Sequence, residues 1–130
     1  MKKTTKNWLA TSDYDIETAK HMLETGRYIY VIFMCHLSVE KLLKAIVAES
    51  IEELPPKTHN LRYLVKLGGL SIPGQQMDIL DKLNTVSVPT RYPEDLVSLQ
   101  KQFDREIATE YLSKTKELLK WLRQDKRLKK

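Results

Sequence analysis

Apolar side chains recur along most of this chain at steps of three and four, the spacing that gathers them on one side of a helix. Trp8, Ser12, Ile16, Ala19 and Leu23 form the first stripe, with Asp13, Glu17, Lys20 and Glu24 off it, and Gly26 supplies a left-handed residue to end the helix. From about Tyr28 to Ser50 the pattern changes, because Val31, Ile32, Phe33, Met34, Leu37, Val39, Leu42, Leu43, Ile46 and Val47 cover much of the circumference. A helix this apolar all round has to be covered on several sides, by neighbouring helices or in part by a second subunit.

Pro55 and Pro56 interrupt the pattern, since neither continues a helix and each holds its predecessor extended. Thr58 then reads as the cap of a short third helix, carried by Leu61, Leu64, Val65 and Leu67 and stopped by Gly68 and Gly69. A turn at 71–74 leads to a fourth helix from Gln75 to Thr85, built on Met77, Leu80 and Leu83. The last helix is expected from about Phe103 to Leu128, with Ile107, Tyr111, Leu112, Thr115, Leu118 and Leu122 on its stripe. Between these, Val88 to Gln102 fits neither helix nor strand, and Pro89 and Pro93 bracket Thr90, Arg91 and Tyr92. Loops of that length in a small domain often carry function. The expectation is an all-α chain, an up-and-down bundle of four to five helices in a single domain over residues 1–130.

Composition narrows the chemistry. At 130 residues, with 42% apolar and 30% charged residues, the chain has enough material for one core and no apolar run near the roughly 18 residues of a bilayer span. The basic start, Met1 to Lys6, has no apolar stretch behind it, so the chain is expected in the cytosol and off the membrane. Cys35 is the only cysteine, and the three histidines, His21, His36 and His59, make no zinc pattern, which excludes disulfide and metal scaffolds. No cofactor is expected. The net charge of +5 is concentrated: residues 114–130 hold eight basic and two acidic side chains, while the remaining 113 hold 14 and 15. Such a basic end reads first as a solvated helix terminus where cations meet the negative end of the dipole, and it also suits RNA or another polyanion without selecting one.

Candidate chemistry lies on the second helix, where His36, Glu40 and Lys44 are spaced i, i+4, i+8, with Lys41 beside Glu40. Polar groups in so apolar a helix need partners. Glu40 either pairs with Lys44 or another helix, leaving His36 as an interior histidine, or the group floors a pocket for an anion or nucleotide. His59, after the expected cap Thr58, is placed for a phosphate on the helix's free N–H groups or is part of a capping turn. Arg91 suits a phosphate or carboxylate, and Tyr92 either stacks on a base or anchors the loop. Cys35 and His36, adjacent in a helix, diverge, so Cys35 reads as core. The chain has no GK[ST] phosphate loop, GxGxxG, GxSxG or HExxH.

Taken in order, the helix with Trp8, Asp13 and Ala19, the run Phe33 to Ala45 with its Glu40-Lys41-x-x-Lys44-Ala45 core, the turn Pro55-Pro56-Lys57-Thr58-His59-Asn60-Leu61 and the loop Thr90-Arg91-Tyr92-Pro93 resemble the prokaryotic HEPN domain over nearly the whole chain. The resemblance implies a helical bundle, a homodimer packed through its long helices, and a small nucleotidyltransferase as partner. It also implies nucleotide binding, or, in the toxin branches of toxin–antitoxin pairs, metal-independent RNase activity from an arginine followed four to six residues later by histidine. That motif is absent, because Arg27 precedes His36 by nine positions and Arg62, Arg91 and all later arginines have no histidine after them. The expectation is therefore a binding module of the nucleotidyltransferase-associated branch with no catalytic residue, whose ligand-binding residues are His36, Glu40, Lys41, Lys44, His59, Arg91 and Tyr92. The alternatives are a metal-independent endoribonuclease using His36 or His59, and a structural dimeric adaptor.

Overall fold

A computed structural model describes residues 1–129, and among them every regular element is helical. The order is α1 (Lys3–Glu24), α2 (Tyr28–Ser50), α3 (Leu61–Leu67), α4 (Gly74–Arg91), α5 (Leu96–Gln102) and α6 (Arg105–Arg123), followed by a 3-10 turn at Lys126–Leu128. Helix α2 is the axle of the bundle, packed against every other element. Fifteen of its 23 residues are buried. That cover comes from α1, α3, α4 and α6 of the same chain, so burial of α2 needs no second subunit.

Two glycines end helices as the sequence predicts. Gly26, at φ 77°, follows α1 and closes a Schellman pair, Arg27 N–H to the Met22 carbonyl at 2.8 Å and Gly26 N–H to that of Leu23 at 3.3 Å. Gly69, at φ 61°, does the same after α3, with Leu70 bonded to Val65 and Gly69 to Lys66. Where α1 crosses α2, the hydroxyl of Ser12 donates to the Ser38 carbonyl at 2.7 Å and that of Ser38 returns a bond to the Ser12 carbonyl at 3.0 Å. Small polar residues on the apolar stripe thus let the two backbones approach closely.

The remaining boundaries differ from the pattern reading. The cap of α3 is Asn60, whose side chain accepts from Tyr63 N–H; Thr58 accepts only from Asn60 N–H in a preceding turn. Helix α4 runs through Pro89 to Arg91. Proline there costs one hydrogen bond in the last turn, and burial of Val86, Ser87 and Thr90 outweighs it. The segment without a pattern holds a further helix, α5, capped by Asp95 on Ser98 N–H. Helix α6 begins after Asp104, which accepts from Ile107 N–H at 2.9 Å, and ends at Arg123 rather than Leu128 because Asp125 starts the 3-10 turn. The basic end is partly neutralised in place: Lys114 pairs with Glu110, Arg123 with Asp13 and Arg127 with Asp125. Lys130 lies outside the described residues. Among the described residues no helix is long and apolar enough to cross a membrane.

Candidate functional site

The i, i+4, i+8 spacing on α2 delivers what it promises: one carboxylate at the centre of a charged cluster. Glu40 has no exposed surface, yet it is ionised and saturated with partners. Its Oε1 accepts from Nδ1 of His59 at 2.7 Å, and its Oε2 faces Lys44 Nζ at 3.2 Å and Lys41 Nζ at 3.4 Å. Burial alone pushes the carboxyl upward, but the His59 hydrogen bond and the charges of Lys44 and Lys41 outweigh it and hold Glu40 below the usual carboxylate range. Both lysine heads also sit over the ring of Trp8 from α1, Lys44 at 5.4 Å and Lys41 at 5.8 Å from its centroid.

His36, one turn before Glu40, secures the same loop by its backbone. Its Nε2–H donates to the carbonyl of His59 at 3.0 Å, which fixes the tautomer and leaves Nδ1 a buried lone pair, 3.9 Å from Glu40 and without a hydrogen bond. Burial drives the His36 pKa down to about 4; Glu40 and the bond to the His59 carbonyl oppose this and the charges of Arg91 and His59 add to it, so the ring is neutral near pH 7. Two α2 side chains therefore grip His59, one by its main chain and one by its ring. The outer side of that ring stays open: the His59 side chain is 55% exposed.

His59 does not lie in a helical first turn. Helix α3 starts at Leu61, where Leu61 N–H is taken by Asn84 Oδ1 and Tyr63 N–H by Asn60, so two of the first-turn N–H groups are already occupied. Arg91, at the end of α4, lies with its guanidinium 5.1 Å from the Phe33 centroid, one turn of α2 before His36. Tyr92 stands apart from this group, 70% exposed, beside a groove lined by Val88, Ser98 and Leu99. The structure thus brings together His36, Glu40, Lys41, Lys44 and His59, places Arg91 at their edge and leaves Tyr92 out.

Asp15 belongs to the cluster, although the hydrophobic pattern does not single it out. It lies on α1, one turn past Ser12, with Oδ2 buried and unpartnered. Burial raises its carboxyl above the ordinary value; Lys41 opposes this and Glu40 adds to it. Its position three residues beyond Ser12 and seven beyond Trp8 is the only signal that could have found it. Among the described residues no group of three or more His, Cys, Asp or Glu side chains is placed to hold a metal ion.

The fold and this cluster define a class: a helical module whose central helix carries a buried, fully paired carboxylate. The sequence pattern of the HEPN domain matches residues 5–126, and the chain belongs to that family. Among solved structures, TT1696 from Thermus thermophilus is 20% identical, covering 91% of this chain and 94% of that one at a TM-score of 0.76. ST0689, an archaeal HEPN homologue, is 19% identical, covering 95% and 97% at a TM-score of 0.73. At these identities the likeness is one of fold. No curated protein matches the chain.

Proposed function

We propose that this chain is a non-catalytic binding module that acts with a small nucleotidyltransferase and takes the phosphate of a nucleotide at the rim of the Glu40 cluster. The observation that supports this is an excess of cations around one point. Lys41 and Lys44 both face Glu40, Lys41 also acts on Asp15, and Arg91 acts on His36 beside them, so three permanent cations meet two carboxylates. Lys44 and Glu40 are buried and form the floor, while Lys41, Arg91 and His59 reach solvent and would meet the phosphate. Calorimetric titration with nucleoside mono- and triphosphates tests it. Wild type is expected to bind, and Arg91→Ala or Lys41→Ala to weaken binding roughly tenfold, the worth of one charge-assisted hydrogen bond, at unchanged melting temperature. Absence of binding to wild type at millimolar nucleotide overturns it. A homodimer and the nucleotidyltransferase complete the reading, checked by sedimentation and by co-purification with a nucleotidyltransferase encoded beside this chain.

The endoribonuclease reading now rests on His59 alone. His36 has no exposed surface and spends its proton on a backbone carbonyl, and Arg27 lies nine residues, about 13 Å along the helix axis, from it. RNA cleavage in EDTA that disappears in His59→Ala would favour that reading over the binding module.

A further inference from the structure

Beyond the charged cluster, the first turn of α2 and the face of α5 enclose a cavity of about 340 Å³. Tyr28, Tyr30 and Phe103 give it aromatic walls, Pro93 and Leu96 close it from the α4–α5 side, and Gln100 sets a carboxamide among them. Arg27 stands at the same cavity and makes no ion pair among the described residues. The volume is that of a small-ligand pocket, and the lining, ring and aliphatic surface together with the Gln100 amide and Arg27, suits a flat heterocycle with a polar edge. Leu96 and Tyr30 are 53% and 49% exposed, apolar surface that no part of the chain covers.

The cavity adjoins the charged rim through two short links. Pro93 lies two residues after Arg91, and Tyr30 lies three residues, less than one turn of α2, before Phe33, on whose ring the Arg91 guanidinium rests. Ring surface and phosphate-binding charge are thus neighbours on one side of α2. We infer that this cavity is a nucleobase subsite: the base of a nucleotide lies against the half-exposed ring of Tyr30 in the space lined by Tyr28, Leu96 and Phe103, Gln100 bonds its edge, and the phosphate extends to Arg91. The inference rests on the phosphate-binding reading above and adds the base-recognising half of the site.

The test titrates the full chain with the four nucleoside monophosphates, with adenosine and with ribose 5-phosphate, followed by calorimetry and by amide shifts of Tyr28, Tyr30 and Gln100. Tyr30→Ala and Leu96→Lys remove a wall and fill the space at half-exposed positions. Each is expected to weaken monophosphate binding roughly five- to 100-fold, the range for loss of a stacked aromatic, and to leave ribose 5-phosphate unaffected. Gln100→Ala is expected to level the preference among the four bases. Equal binding of ribose 5-phosphate and all monophosphates, unchanged in Tyr30→Ala, overturns the subsite and leaves the phosphate reading standing. Adenosine binding that Tyr30→Ala removes, with no contribution from Arg91, upholds the cavity and overturns the phosphate reading. No binding of any probe overturns both.

Discussion

Glu40 and His59 form the pivotal pair of this molecule: a carboxylate without exposed surface holds, at 2.7 Å, an imidazole that is more than half exposed. Removing the charge from such a pair leaves its other partners uncompensated, above all Lys44, whose side chain is only 7% exposed. Glu40→Gln is therefore expected to lower stability by about 3–5 kcal/mol in urea titrations. Adding Lys44→Met to Glu40→Gln should recover part of that loss. An unchanged midpoint in Glu40→Gln would show that the cluster contributes nothing to the fold.

His36 makes stability depend on pH. Its folded value of about 4 lies below the ordinary value near 6.5, so between these the unfolded chain binds the extra proton. Its contribution is complete above about pH 6.5 and is lost as pH falls toward 4, at roughly 1 kcal/mol per unit. Glu40, also depressed, contributes above its ordinary unfolded value and loses that as pH falls through its folded one. Urea titrations from pH 7 to 4.5 should show the decline, and His36→Gln, which keeps a donor for the His59 carbonyl, should flatten it. A slope that survives His36→Gln assigns the titration elsewhere.

Cys35 is expected to be inert. It has no exposed surface, and burial pushes its thiol up to about 12 although Thr115 and the charge of Lys116 both favour the thiolate. Iodoacetamide should label it in native protein only at the rate of global opening, and fast in urea. Rapid labelling without denaturant would contradict the packing of α2 against α6.

Gly26 occupies the left-handed region at φ 77°, and the nearest atom to an added Cβ is the Tyr28 hydroxyl at 3.9 Å. Gly26→Ala therefore meets backbone strain and no clash, with an expected loss of about 1 kcal/mol. A thermal or urea midpoint equal to wild type would place the α1–α2 turn in another conformation.

The long helices were legible because their stripes are unbroken and because glycine at 26 and 69 has one physical use, a left-handed stop. The boundaries from Val88 to Asp104 were not. Pro89 reads as a breaker, but its cost falls in a last turn already held by burial of Thr90, and Asp95 caps a seven-residue helix with a single buried apolar residue, Leu99, and so no stripe to announce it. Thr58 and Asn60 are both capping types two residues apart, and Asn84, from another helix, anchors Leu61 beside Asn60. In the site, Glu40 with Lys44 follows from helix geometry alone, whereas the reach of His59 depends on how the chain from Ile51 to Asn60 folds back. Continuation of α4 to Arg91 also separates neighbours: Arg91 turns to Phe33 and Tyr92 to solvent.

The exchange between Ser12 and Ser38 works at only one relative height of the two long helices. A slip by one turn would strand both hydroxyls inside an apolar contact, so the serines act as a registration key for the hairpin. Trp8 lies one turn before Ser12, and Lys41 lies one turn after Ser38 on the antiparallel neighbour. The key thus levels the indole with the lysine heads, and alignment of the charged hub is governed by two uncharged residues outside it.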